Sequence, residues 1–184
     1  AALVFAADGA FSAVRYNSMQ KLDRFQYSQN YIADGYREIL LPALPDGAYA
    51  MDKNALHIWP RGRFMMIALA NEDGSFTLTL FMPHEHHEFA FDKLNTKADV
   101  DRFFRTIFPD FHDLMPDIAD KWDDHPLSNL AIIRCYPWAA GKVGLMGDAA
   151  HATVPFYGQG MNAGFEDCRV LNDLMHEHNH DWEK

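Results

Sequence analysis

Apolar positions recur every second residue through the middle of the chain, the spacing of β-strands rather than helices. Leu56-His57-Ile58-Trp59 leads into a turn at Pro60-Arg61-Gly62-Arg63, and residues 64–69 follow. A second turn, Asn71-Glu72-Asp73-Gly74-Ser75, precedes residues 76–82. The pattern predicts three strands in an antiparallel meander. Successive side chains of a strand point to opposite faces, so Met65, Ile67 and Leu69 fall on one side, as do Thr77, Thr79 and Phe81. Phe64, Met66 and Ala68 lie opposite, as do Phe76, Leu78, Leu80 and Met82. Both faces are largely apolar, so the sheet is expected to be covered on both sides, by protein on one and a ligand pocket on the other.

The flanks read differently. Residues 1–7, AALVFAA, look like a buried strand that needs neighbours on both sides. Residues 36–41 suggest a further strand ending before Pro42. Beyond His84 the period becomes helical: Val100, Phe103, Phe104 and Ile107 share a face, and Pro109 stops the run. A short helix is expected within residues 114–122 and a strand over residues 129–136. Val143-Gly144-Leu145-Met146 predicts a buried strand ending at Gly147. Met161, Gly164, Phe165, Cys168, Leu171 and Met175 form a helical stripe expected to be buried.

Composition narrows the functional classes. The chain has 184 residues, 48% of them hydrophobic and 14% aromatic, as in an ordered globular protein. Its 16 Lys and Arg against 26 Asp and Glu leave a net charge of −10, without a basic cluster, which argues against a nucleic-acid surface. Cys135 and Cys168 lack metal-pair spacing and read as reduced thiols of a cytoplasmic protein. No apolar run is long enough to span a bilayer, and no signal-peptide pattern occurs. The first residue is not Met and no G-x-G-x-x-G turn is present, so the chain is expected to be an internal piece of a longer enzyme.

The densest chemistry lies in GDAAHATVPFYGQGMNAGFEDC, residues 147–168. Asp148 would sit at the carboxyl end of a strand, where open sheets with parallel strands hold ligands. Gly158-Gln159-Gly160 permits close backbone approach, and Met161-Asn162 open a helix whose free N–H groups suit an anionic or carbonyl-rich ligand. DGAFSAVR, residues 8–15, follows the first strand with a turn, and Ser12 could cap a short helix.

These two motifs resemble those of the aromatic-ring hydroxylases, the single-component flavoprotein monooxygenases. The resemblance implies a mixed α/β (α+β) fold: part of an FAD/NAD(P)-binding Rossmann-like domain (residues 1–20 and 130–184) plus an antiparallel-sheet substrate domain (residues 21–129), as in p-hydroxybenzoate hydroxylase-like flavoproteins. It implies FAD as cofactor and NADPH as electron donor. Asp148 would contact the ribityl chain. Gly158, Gly160, Met161 and Asn162 would contact the flavin, Asp8 would contact FAD, and Arg15 would lie near nicotinamide phosphates. Within the family, ALHIWPRGRFMMIALANEDGSFTLTLFMP and PFYGQGMNAGFEDC most resemble the members that hydroxylate L-kynurenine in tryptophan catabolism. That implies L-kynurenine and molecular oxygen as substrates. Leu56, Met65, Ile67, Leu69, Thr79 and Phe81 would line the aromatic ring, and Pro155, Phe156, Tyr157 and Gln159 would lie between substrate and flavin. The side chains that clamp the substrate carboxylate in the family fall outside this chain. The reaction needs no side-chain nucleophile, so no catalytic acid or base is assigned, and His151 is expected to be structural.

Other readings stay open. Another aromatic ring could be the substrate, or the chain could keep the fold without binding flavin. His176-Glu177-His178-Asn179-His180 matches H-E-x-x-H, a zinc-hydrolase pattern, if His176 and His180 share a helical face with Glu177 activating water. His84-Glu85-His86-His87-Glu88 is a second histidine-rich patch without that spacing.

Overall fold

A computed structural model describes residues 3–181. In chain order its main elements are β1 (Val4–Ala6), β2 (Gln26–Leu41), β3 (His57–Arg61), β4 (Phe64–Ala70) and β5 (Phe76–Pro83). Helices α1 (Lys97–Ile107), α2 (Pro109–Leu114) and α3 (Ile118–Lys121) follow. The chain closes with β6 (Ser128–Tyr136), β7 (Ala139–Ala140), β8 (Val143–Leu145), α4 (Asp148–His151) and α5 (Gly160–Glu177). The chain divides into two compact units, residues 1–32 with 131–184, and residues 33–130. Strands β2 and β6 carry the chain across those boundaries.

The central unit is built on the meander. The sheet order is β3-β4-β5-β2-β6, and β4 pairs antiparallel with both β3 and β5. The register places Met65 opposite Phe81, Ile67 opposite Thr79 and Leu69 opposite Thr77, so the two sets of odd-numbered residues share one face. The even-numbered face is the core. Met66, Ala68, Phe76, Leu78, Leu80 and Met82 are fully buried against Phe103, Phe104, Phe108, Phe111 and Ile118 of the helical segment. Ring pairs such as Phe103 with Phe104, edge-on at 5.1 Å between centroids, add to the area buried. Helix α1 begins at a capping box, with Thr96 Oγ1 accepting from the Asp99 N–H and Asp99 accepting from the Thr96 N–H. Phe108 separates α1 from α2, which Pro109 opens because a proline needs no N–H at a helix start.

Among the described residues protein covers one face of the sheet, and the other, expected to hold a ligand, is largely open apart from the buried Phe81. All three helices pack against the even-numbered side. On the other face Leu56, Ile58, Leu69 and Leu40 are exposed, and Met65 and Ile67 are half-buried.

The other unit contains a three-stranded sheet in the order β1-β8-β7. Strand β1 runs parallel to β8, with Val4 opposite Val143 and Ala6 opposite Leu145. Its core is small: Ala6, Met19, Leu145 and Ala150. Among the described residues β1 has a neighbour on one side only, so Val4 and Phe5 are exposed rather than buried; Ala1 and Ala2 lie outside the described residues. The stripe on α5 also differs from expectation. No residue of that helix is buried, and Phe165 is 66% exposed. Periodicity aligned these side chains, but no other described element covers them. Val170, Leu171 and Leu174 instead line, with Phe5 and Trp138, an open groove of about 620 Å³. No described helix is long and apolar enough to cross a membrane.

Candidate functional site

Two adjacent parallel strands deliver two aspartates to the same end of their sheet. Strand β1 ends at Ala6, two residues before Asp8, and β8 ends at Leu145, three residues before Asp148. The carboxyl ends of parallel strands are where α/β sheets bind ligands. Asp8 is exposed, and its Oδ2 accepts the Val14 N–H at 3.2 Å. The Ser12 hydroxyl foremost, with the Val14 N–H, holds its carboxyl below the usual carboxylate range.

Behind these aspartates lies Arg15, 2% exposed. Its Nη1 donates to the Ala149 carbonyl at 2.6 Å and its Nη2 to the Ala10 carbonyl at 2.6 Å. The guanidinium also sits 4.8 Å from the Tyr27 ring centre, and its buried Nε has no hydrogen-bond partner among the described residues. The position expected near nicotinamide phosphates is therefore a buried tie between the loop after β1 and the first turn of α4. Ser12 Oγ accepts the Arg15 N–H at 3.0 Å, the capping contact expected of it.

Gly147 turns the chain from β8 into α4 at φ 55°, ψ −140°, a conformation open to glycine. Its N–H donates to Asp167 Oδ2 at 2.7 Å, and the same oxygen lies 2.7 Å from His151 Nε2. His151 thus pins α5 to the turn, a structural contact. Helix α5 passes so close that a Cβ on Gly164 would lie 3.7 Å from the Gly147 Cα.

Asp148 is the first residue of α4 and is exposed. Its carboxylate has no hydrogen-bond or ion-pair partner among the described residues. The chain then passes through a 3₁₀ turn, Pro155–Tyr157, to Gly158 at φ 62°, where a Cβ would meet nothing within 4 Å. Helix α5 starts at Gly160; a Cβ there would stand 4.0 Å from Asp148 Oδ1 and 4.0 Å from Thr153 Oγ1. Gln159 provides no side-chain cap, and no acidic residue occupies the first turn of α5. The opening N–H groups and the positive end of the helix dipole are therefore left for a ligand. Met161 is 70% exposed and Asn162 is exposed. Asn162 Nδ2 donates to Gln159 Oε1 at 3.1 Å, and Gln159 Nε2 to the Tyr157 carbonyl at 2.9 Å, which stiffens the approach. Tyr157 is 88% exposed, while Pro155 and Phe156 are half-buried. An acceptor carboxylate, an unfilled glycine surface and free helix N–H groups can hold a hydroxylated chain attached to a flat, carbonyl-bearing ring. FAD offers both parts, so the residues present fit it.

The meander residues fall as follows. Met65, Ile67, Leu69, Thr79 and Phe81 share the open face by register, and Leu56 precedes β3 and is exposed. Phe81 is itself buried against Tyr36, 6.2 Å between ring centroids. Sequence reasoning missed Ile58, which lies opposite Ile67 on this face, although a step of two from Leu56 reaches it. It also missed Tyr36 and Glu38, which lie opposite Phe81 and Thr79.

The zinc pattern brings together two rings and no more. Helix α5 ends at Glu177 and Asn179 and His180 take positive φ, so His180 lies beyond the helix, with its ring 5.3 Å from that of His176. No group of three or more His, Cys, Asp or Glu among the described residues could hold a metal.

The FAD binding domain family model matches residues 1–181. The chain is 52% identical over 181 residues to a kynurenine 3-monooxygenase of Flavobacterium psychrophilum, covering 98% of this chain and 40% of that protein. It is 55% identical over 172 residues to a kynurenine 3-monooxygenase of Dictyostelium discoideum, covering 93% of this chain and 37% of that one. Among solved structures, Pseudomonas aeruginosa PqsL in complex with 2-aminobenzoylacetate superimposes with a TM-score of 0.73 at 17% identity, over 97% of this chain and 46% of PqsL. The chain thus spans about two fifths of the length of these curated relatives.

Proposed function

The chain belongs to the FAD binding domain family, with the mixed α/β fold of FAD-dependent aromatic hydroxylases, and on that premise we propose that the whole protein hydroxylates L-kynurenine at the ring carbon beside its amino group. The overall reaction takes one NADPH, one proton and one dioxygen per kynurenine and returns hydroxykynurenine, NADP⁺ and water. The supporting observation is the Asp148 carboxylate, without a partner among the described residues, beside the bare Gly158–Gly160 approach and the uncapped start of α5.

In this reading Asp148 accepts hydrogen bonds from the ribityl hydroxyls and Asp8 takes a second polar group of FAD. The N–H groups of Met161 and Asn162 face the pyrimidine edge. Negative charge on that edge is stabilised by the helix start, which carries no competing acid. Bound there, FAD supplies the redox chemistry that lets dioxygen hydroxylate a ring. The open face of the meander, with Met65, Ile67, Leu69, Thr79 and Phe81, shelters the aromatic ring and keeps water from it. Pro155, Phe156, Tyr157 and Gln159 form the substrate side of the glycine loop. No side chain here is required as a nucleophile. The two free cysteines suit a reducing compartment and support a cytoplasmic location as part of this reading. Its acidic balance suits small-molecule partners rather than nucleic acid.

Steady-state NADPH oxidation by the intact protein carrying this chain tests the reading. Kynurenine is expected to stimulate oxidation, with hydroxylated kynurenine as product. Stimulation by other ring substrates and none by kynurenine would overturn it.

A further inference from the structure

The open face of the central sheet carries one charged side chain in its middle rows, among mostly apolar neighbours. Register aligns Tyr36, Phe81, Met65 and Pro60 in one transverse row, then Glu38, Thr79, Ile67 and Ile58, and then Leu40, Thr77 and Leu69. Directly opposed residues of antiparallel strands share a face, so Glu38 stands among Tyr36, Leu40 and Thr79.

Two carboxylates of β2 occupy this face, and they differ. Asp34 is tied to Arg63, with Nη2 to Oδ1 at 3.1 Å. Glu38 is exposed and has no hydrogen-bond or ion-pair partner among the described residues. A flat apolar ligand that covered this row would strip water from the Glu38 carboxylate. Burying an unpaired carboxylate is costly, so such a ligand binds well only if it brings a cation or N–H donor to that point. A hydrocarbon side chain at 38 would have completed the wall without that demand.

We propose that Glu38 is the binding residue for the positively charged amino group of the substrate, and so selects an aromatic amino acid over the same ring without its α-amine. This deepens the reading of the site as a kynurenine hydroxylase and rests on it. The carboxylate accepts charge-assisted N–H donation while the ring lies over Ile67 and Met65. Thr79, directly opposite, is the neutral neighbour that leaves the negative charge of Glu38 undiminished.

The test compares kynurenine with its analogue lacking only the α-amino group, 4-(2-aminophenyl)-4-oxobutanoate, on the intact flavoprotein and its Glu38→Gln variant. Glutamine keeps the size and removes the charge. The expected result is a KM for kynurenine raised roughly tenfold to hundredfold in the variant, the size of a charge-assisted hydrogen bond, with kcat within about twofold. KM for the analogue should hold still, and thermal melting should match the parent. An unchanged ratio of kcat/KM between the two substrates would overturn the assignment of Glu38 and leave the hydroxylase reading standing. Parent protein that neither substrate stimulates would overturn both. Glu38→Asp, which keeps the charge on a shorter stem, should recover part of the preference; recovery by Gln but not by Asp would also contradict the proposal.

Discussion

Arg15 Nη1 donates to the carbonyl of Ala149 at 2.6 Å across a sequence separation of 134 residues. With Nη2 on the Ala10 carbonyl, one buried guanidinium joins the loop that carries Asp8 to the turn that carries Asp148. A planar fork can serve two carbonyls at once, and an ammonium cannot do so with the same geometry. Arg15→Met should leave both carbonyls without a donor and destabilise the unit by about 2–5 kcal/mol, measured by urea unfolding. Arg15→Lys should recover only part of that loss. Parent-like stability of Arg15→Met would show the tie to be incidental.

Asp8 gives a pH signature. Its carboxyl is held below the usual range by Ser12 and Val14, so the charged form is favoured in the folded protein. A depressed carboxylate contributes stability above its unfolded pKa, and that contribution is lost as pH falls through the lower, folded value. The parent should therefore exceed Asp8→Asn in stability at neutral pH, and the gap should close on acidification below the ordinary carboxylate range. Exposure of Asp8 keeps the gap small. A gap that widened toward acid would contradict the assigned contacts.

The two thiols should react at different rates. Burial pushes the Cys135 thiol up, and its Sγ lies 3.1 Å from the Ala150 carbonyl, while Cys168 is exposed on α5. Thiolate is the reactive form, so iodoacetamide at mildly alkaline pH should label Cys168 first and Cys135 only slowly. Peptide mass mapping over time checks the order; equal rates would show the β6 contact to be open.

Phe81 is buried against Tyr36 while facing the open side of the sheet. Phe81→Leu keeps an apolar side chain and costs some stability through the small cavity it leaves. It should also thin the dry wall and raise the peroxide released per NADPH consumed in the presence of kynurenine. Unchanged coupling would mark Phe81 as core alone.

What was readable in the chain follows from what periodicity can report. Alternation by two sorted Met65, Ile67 and Leu69 from Phe64, Met66 and Ala68, and the register agrees, because a pleated strand allows no other arrangement. The apolar spacing of Val100, Phe103, Phe104 and Ile107 foretold α1 for the equivalent reason. The first ten residues of β2 were not readable. Gln26, Ser28 and Asn30 alternate with Tyr27, Gln29 and Tyr31, so no apolar face marks the strand before Ile32. The stripe on α5 was readable as a shared face but not as an exposed one, since spacing says which side chains align and not what covers them. At the candidate site, Asp148 and the glycines stood out through their unusual backbone needs. The Arg15 tie and the Asp167 link to Gly147 and His151 join distant segments and leave no local trace.

Flavin retention by Asp148→Ala tests the account most directly. The intact protein and the variant are passed through gel filtration, and bound flavin is read from visible absorbance against protein. The account predicts a flavin-bearing parent and a variant that is folded by circular dichroism but largely stripped of FAD. Parent-level flavin in the variant would contradict it.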